Sequence, residues 1–245
     1  MSRVTFEAMD DSVPVWSPDG AQIVFRSTRT GQMDIYQRAA SGAGVEVQLV
    51  VTSQAKAPTS WSADGRFVLY MSNDPESQSD LWVIPMTGER KPFVFLKTPF
   101  REAYGVFSPD GRWVAYHSNE SGRYEIYVRS FVAPNASATD AATGPWQVST
   151  AGGVYPVWRR DGKELYFLNP AGAMIAAPIG ITGATLDPGA AVVLFPTRIF
   201  GGGVDAQQGR QYDVAPDGRF LINTELDLAT APITLIQNWN PTAKQ

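Results

Sequence analysis

Trp16-Ser17-Pro18-Asp19-Gly20 opens a unit that the chain repeats. It returns as Trp61-Ser62-Ala63-Asp64-Gly65, as Phe107-Ser108-Pro109-Asp110-Gly111 and as Trp158-Arg159-Arg160-Asp161-Gly162. A weaker fifth copy is Val214-Ala215-Pro216-Asp217-Gly218. Successive Asp residues lie 45, 46, 51 and 56 positions apart, so the period lengthens toward the C-terminus. Self-similarity at this interval is the mark of an array of supersecondary units. Asp-Gly is turn chemistry: glycine takes positive φ without steric cost, and Asp bonds its own nearby backbone. Each copy therefore predicts a tight hairpin between the first and second strands of a unit. A calcium loop needs several closely spaced oxygen ligands, and each copy offers one carboxylate, so the turn reading is preferred.

The segments after each Asp-Gly also match. Ile23-Val24-Phe25, Phe67-Val68-Leu69-Tyr70, Trp113-Val114-Ala115-Tyr116, Leu165-Tyr166-Phe167 and Phe220-Leu221-Ile222 are short, aromatic and β-branched. They are apolar on both faces, as in a sheet stacked between two others. A polar turn and a third strand follow at Asp34-Ile35-Tyr36, Asp80-Leu81-Trp82, Glu125-Ile126-Tyr127 and Met174-Ile175-Ala176. Fourth strands are expected at 46–51, 93–96, 146–149 and 192–199. No helical period is sustained. The expected fold is all-β: a five-bladed β-propeller of four-stranded antiparallel blades in one domain, residues 1–245. The blades fall near 13–51, 58–97, 104–149, 154–199 and 211–239. The last is one strand short, and residues 3–6 are expected to supply the missing strand and close the ring, leaving no bare edge. The small, polar stretch 132–145 and Gly201-Gly202-Gly203 read as loops; the latter lacks the spacing of a nucleotide motif.

Bulk properties narrow the function. The 245 residues carry a formal charge of −4, a poor match to a phosphate backbone, so no nucleic-acid partner is expected. With no cysteine, disulfides and thiolate metal sites are excluded. No apolar run reaches the ~18 residues of a membrane-spanning helix, so no direct membrane insertion is expected, and the first residues lack a signal-peptide layout. The one histidine, His117, occupies a second-strand position held elsewhere by Arg26, Met71, Leu168 and Asn223, which favours packing over metal binding or catalysis. Asp10, Asp11 and Glu102 precede first strands and could approach an axis as glycosidase carboxylates do. They are equally ordinary loop acids. No catalytic residue, cofactor or metal site is expected. Binding is preferred, on the face carrying Asp10, Asp11, Lys56, Arg101, Glu102, Gln207, Gln208 and Arg210, with Arg29, Asn73, Asp74, Asn119 and Glu120 beside them. Mixed charge around a central opening suits a protein or peptide ligand.

The order Trp-Ser-Pro-Asp-Gly, a strand ending in aromatic-x-Ser, and Asp/Glu-Ile/Leu-Tyr/Trp resembles the TolB-type, WD-like propeller repeat over essentially the whole chain. The segments 37–44, 79–92, 107–128, 158–168 and 212–223, and the ending Pro232-Ile233-Thr234-Leu235 with Asn238-Trp239, are similar to a narrower group. These are the C-terminal propellers of bacterial eukaryotic-like serine/threonine protein kinases. The resemblance implies a sensor or scaffold role and an extracytoplasmic place. No kinase motif is present: there is no Val-Ala-Ile-Lys, His-Arg-Asp or Asp-Phe-Gly, so no kinase residue carries over. Such propellers often hold more repeats, so the chain is expected to be a fragment or a shorter relative. A stand-alone TolB-like periplasmic protein and a small-sugar hydrolase are the alternatives.

Overall fold

A computed structural model describes Thr5 and residues 10–134, 144–205 and 209–224. The described residues form strands, turns and loops, arranged in five antiparallel sheets. Sheet one runs β1 (Asp11–Trp16), β2 (Gln22–Ser27), β3 (Asp34–Ala39) and β4 (Val47–Gln48). Sheet two runs β5 (Lys56–Trp61), β6 (Phe67–Ser72), β7 (Asp80–Pro85) and β8 (Phe93–Leu96). Sheet three runs β9 (Glu102–Phe107), β10 (Trp113–Ser118), β11 (Glu125–Ser130) and β12 (Trp146–Gln147). Each pairs in chain order, as an up-and-down meander.

Sheet four departs from the expected pattern. Its third strand, β15 (Ala173–Thr182), follows β13 (Val154–Trp158) and β14 (Glu164–Leu168) and runs past the sheet. It turns at Gly183 (φ 61°) into β16 (Thr185–Pro188), and only then does β17 (Val192–Pro196) pair with the first half of β15. The added hairpin buries Leu186 with Ile179 against Val148 of sheet three's last turn. Sheet five shows β18 (Tyr212–Val214) and β19 (Phe220–Ile222). Residues 3, 4 and 6 of the expected closing strand, and the expected last strand near 233–237, lie outside the described residues.

The repeated turns are built as the motif predicts, with serine adding a part. Ser17, Ser62 and Ser108 Oγ donate to Asp19, Asp64 and Asp110 at 2.5, 2.7 and 2.6 Å. The same hydroxyls accept the first N–H of the next strand, from Gln22, Phe67 and Trp113, at 2.8, 2.9 and 3.0 Å. Gly20, Gly65 and Gly111 close the turns at φ 69°, 75° and 71°, a region that costs other residues strain.

Alternation along the second strands explains why both faces are apolar. In β6, Val68 and Tyr70 pack with Val24, Ile35 and Val50 of sheet one. Leu69 and Met71 point the other way, into a cluster with Tyr104, Val114 and Tyr116 of sheet three. In β10, Trp113 and Ala115 join Trp158, Leu165 and Phe167 of sheet four. Each large side chain buried this way stabilises the fold by roughly 1.5–3 kcal/mol. The stacking is close: a Cβ on Gly105 of β9 would meet Leu69 Cδ2 at 2.6 Å. The innermost strands β1, β5, β9 and β13 adjoin in sequence, so the sheets are ranged side by side around a common centre.

Candidate functional site

The first strands carry the site, and those of sheets one to four are deformed at the same place, while β18 pairs with β19 in unbroken register. The register with the second strand slips between Ser12 and Val15 in β1, between Pro58 and Ser60 in β5, and between Val154 and Val157 in β13; opposite Ala115 to His117 it slips in β9. At these bulges Val13, Tyr104 and Tyr155 stand at φ 52°, 51° and 58°. All three lie three residues before the motif aromatic. Valine and tyrosine in this left-handed region each cost on the order of 1–3 kcal/mol, and such strain collects where a site needs it.

The bulges open a cavity of about 410 Å³. Its wall takes residues from all five first strands: Ser12 to Val15, Pro58 and Thr59, Tyr104 and Val106, Tyr155 and Pro156, and Tyr212 and Asp213. Gly209, Arg210, Gln211, Leu221 and Asn223 complete it. The wall mixes proline and valine with aromatic rings, hydroxyls, amides and one guanidinium. Tyr104 and Tyr155 meet edge to face with centroids 4.7 Å apart, and the Tyr212 hydroxyl donates to Tyr155 O at 2.7 Å. Burial, aided by the charge of Asp205, pushes the Tyr104 hydroxyl up to about 12, and burial raises Tyr212 as well, so both stay protonated donors at neutral pH.

Behind the tyrosines lies a charged network. Arg101 Nε donates to Asp205 Oδ2 at 2.9 Å, and the Tyr155 hydroxyl donates to Asp205 Oδ1 at 3.3 Å. His117 is fully buried and packs against the rings of Tyr104, Tyr124 and Tyr155. Its Nδ1 accepts the Tyr155 N–H at 3.2 Å, so the neutral ring carries its proton on Nε2, 3.6 Å from Asp205 Oδ2. Burial drives the His117 pKa below its ordinary value, with Arg101 adding to the fall and Asp205 opposing it. This histidine fixes the strained Tyr155 backbone and sits within a ring of aromatics, in accord with a packing role.

A second pattern joins neighbouring sheets. In sheets one to three the residue before the third strand gives its carbonyl to the N–H beginning the next sheet: Met33 O to Lys56, Ser79 O to Glu102 and Tyr124 O to Gly153, at 2.7, 2.8 and 2.9 Å. The acid that begins the third strand then reaches across. Asp34 Oδ1 meets Lys56 Nζ at 2.7 Å, and Glu125 accepts the Gly152 N–H at 3.0 Å. Asp80 instead faces Glu102, whose carboxyl burial pushes up to about 7, with Asp80's charge adding and a Thr98 hydrogen bond opposing.

The residues singled out from the sequence separate in space. Asp10 is exposed, and its carbonyl accepts the Thr28 N–H. Asp11 pairs with Arg29 at 3.2 Å; burial opposes its ionisation, but hydrogen bonds from Ser27, Thr5 and Arg29 prevail and hold its pKa below the usual value. Lys56, Arg101 and Glu102 are buried, at 2, 7 and 0 % exposure, and point into the junctions rather than to solvent. Arg210 lines the cavity. Gln207 and Gln208 lie outside the described residues. Of the second-rank set, Arg29 also pairs with Glu46, Asp74 binds Lys97 at 2.7 Å, and Asn119 accepts the Arg101 N–H at 2.9 Å. Tyr104, Tyr155, Tyr212, Thr59 and Asp205 were not anticipated. Aligning the units on their aromatic would have flagged Tyr104 and Tyr155. Nothing local marks Asp205, which arrives from the irregular segment after Gly203. Among the described residues no three His, Asp or Glu side chains converge as metal ligands.

No family model matches the chain, and no curated protein does. Solved structures share its fold. A protein described as TolB from Agrobacterium tumefaciens superposes with a TM-score of 0.60 at 17% identity, covering 85% of this chain and 71% of that one. TolB from Acinetobacter baumannii gives 0.59 at 18%, covering 89% of this chain and 54% of its own, so the chain spans about half of that protein. A puromycin-hydrolyzing peptidase of Mycobacterium tuberculosis gives 0.51 at 15%, covering 87% of this chain and 43% of the peptidase. At these identities the likeness is one of fold, and the fold is that of the TolB-type β-propellers.

Proposed function

We propose that this chain is a non-catalytic interaction module that takes a peptide segment of a protein partner into the axial cavity. The observation that carries this reading is the coincidence of three strained residues, Val13, Tyr104 and Tyr155, on the wall of one cavity. Backbone strain repeated in three sheets and turned toward the same space favours a site over accident. The wall suits a peptide: rings and prolines for apolar side chains, and tyrosine hydroxyls, Asn223, Gln211 and Arg210 for backbone groups. Five sheets contributing to one cavity support a five-bladed ring; its closure by residues 3–6 is carried over from the sequence as part of the proposal. Removing residues 1–9 should then lower the melting temperature and promote self-association through the bared edge; an unchanged monomer would dismiss the closure.

One setting, supported by the resemblance to kinase-linked propellers, is the sensing part of a larger receptor-like serine/threonine kinase, outside the cytoplasm. The superposition on TolB structures supports the other setting, a stand-alone extracytoplasmic interaction protein. The coding sequence upstream of Met1 separates the two. The binding claim is tested by selecting linear peptides on the immobilised chain and measuring their affinity by fluorescence anisotropy. Thr59→Arg and Asn223→Arg, which fill the cavity, should each weaken a selected peptide tenfold or more, about 1.4 kcal/mol. Glu89→Ala, on a loop away from it, should not. Selected peptides that bind Thr59→Arg as well as the native chain would defeat the proposal.

A further inference from the structure

The repeats permit a comparison within the molecule, and one junction lacks a charge that its neighbour has. Between sheets one and two, Lys56 Nζ is surrounded by oxygen: Asp34 Oδ1 at 2.7 Å, Thr52 Oγ1 at 2.9 Å, Thr52 O at 3.3 Å and Gln54 O at 2.5 Å. The ammonium is completely buried there. Between sheets two and three the same frame recurs. The backbone link from Ser79 O to Glu102 N matches that from Met33 O to Lys56 N. Asp80 stands where Asp34 stood. Thr98 and Phe100 precede Glu102 by four and two residues, as Thr52 and Gln54 precede Lys56. The position of the cation, however, is held by a second acid.

The consequence is visible in the unmet valences. Asp80 is 1 % exposed and Glu102 0 %, yet Asp80 Oδ1 and Glu102 Oε2 have no hydrogen-bond partner. Their other oxygens are engaged: Asp80 Oδ2 by Ser77 at 2.8 Å, and Glu102 Oε1 by Thr98 at 2.5 Å. Lys97 approaches from outside, 3.6 Å from Asp80 Oδ2, but it is 43 % exposed and its closer partner is Asp74. Two buried carboxylates with bare oxygens, in a frame that elsewhere encloses an ammonium, call for a positive charge.

We infer that a calcium ion binds between sheets two and three, held by Asp80 and Glu102 at the position that Lys56 fills between sheets one and two. The donors fit a hard cation. They are carboxylate oxygens, with the Thr98 and Phe100 carbonyls as counterparts of those that hold Lys56, and water completes the shell. Imidazole and thiolate, the ligands of softer metals, are not offered: the chain has no cysteine, and its one histidine is enclosed by tyrosines. With two carboxylates the site belongs with the weaker calcium modules, of roughly 10⁻⁴–10⁻³ M. It clamps adjoining sheets and thereby stiffens the wall that β5 and β9 give to the cavity.

The test uses the full chain stripped with a chelator, with equilibrium dialysis against radioactive calcium and thermal melts in calcium, magnesium or matched sodium. Calcium should bind at one equivalent per chain and raise the melting temperature by roughly 3–10 °C at ten to a hundred times its dissociation constant. Glu102→Lys rebuilds the neighbouring junction and should fold. It should melt high in chelator, bind no calcium and show no calcium shift; Asp80→Asn should lose binding as well. No uptake by the native chain at millimolar calcium would show that the pair holds a shared proton instead, and would overturn the inference. So would an equal shift in Glu102→Lys, which would place the ion elsewhere.

Discussion

Replacing Lys56 by methionine removes a cation from a junction that holds it entirely away from water. The side chain is 0 % exposed and Asp34 opposite is 6 % exposed, with 2.7 Å between the charged atoms. Taking away one partner of a buried pair strands the other charge, and such losses run to about 3–5 kcal/mol. Here Thr30 and Gln48 still donate to Asp34 Oδ2, each at 2.9 Å, so the lower half of that range is expected. For a chain of this size each kcal/mol moves the melting temperature by about 2–4 °C, so Lys56→Met should melt roughly 6–16 °C lower. The assay is a double-mutant cycle by urea denaturation with Asp34→Asn, Lys56→Met and both together. The double variant should recover more than half of the loss, because two neutral groups can pack where one bare charge cannot. A single-variant cost below about 1 kcal/mol is the behaviour of a surface pair. It would refute the claim that this side chain is an interior strut and restore it as a candidate ligand contact.

Two further outcomes follow from the same geometry. Ser108→Ala removes the hydroxyl that accepts the N–H of buried Trp113 and should cost about 1–2 kcal/mol in denaturation; Arg159→Ala, at the matching place in the fourth turn, should cost much less, and equal costs would deny the serine its role. His117 has a folded pKa below the ordinary 6.5, with Arg101, Asp205, Tyr104, Tyr124 and Tyr155 facing it, so the unfolded chain takes up its proton first as pH drops. Its stability contribution is therefore whole above pH 6.5 and is lost as pH falls through the folded value, by up to about 1.4 kcal/mol per pH unit. His117→Leu should flatten the stability profile below that pH, and an unaltered slope would show that other groups set it.

The strands were legible because their signal is local. Asp-Gly turns and β-branched runs announce themselves within a few residues, and the period set the order of the sheets. The hairpin of β15 and β16 was missed because Leu186 is justified only by burial against sheet three. The binding face was read from loop polarity, which does not report burial. Lys56, Arg101 and Glu102 look like solvent charges in sequence, but each begins or adjoins a first strand that stacking buries. The cavity wall is made by bulges, and a bulge depends on how two strands meet. Val13, Tyr104 and Tyr155 share a repeat position, yet their positive φ is a property of the assembled sheets.

The central claim is that the first strands enclose the site, and the absence of cysteine allows a direct measurement. Thr59→Cys places a single thiol on the cavity wall, and Val94→Cys places one on exposed β8 as the control. After coupling to a bulky maleimide, peptide affinity is measured for both. Labelling at Thr59→Cys should abolish binding while labelling at Val94→Cys leaves it intact. Undiminished binding with the axial cavity blocked would contradict the account.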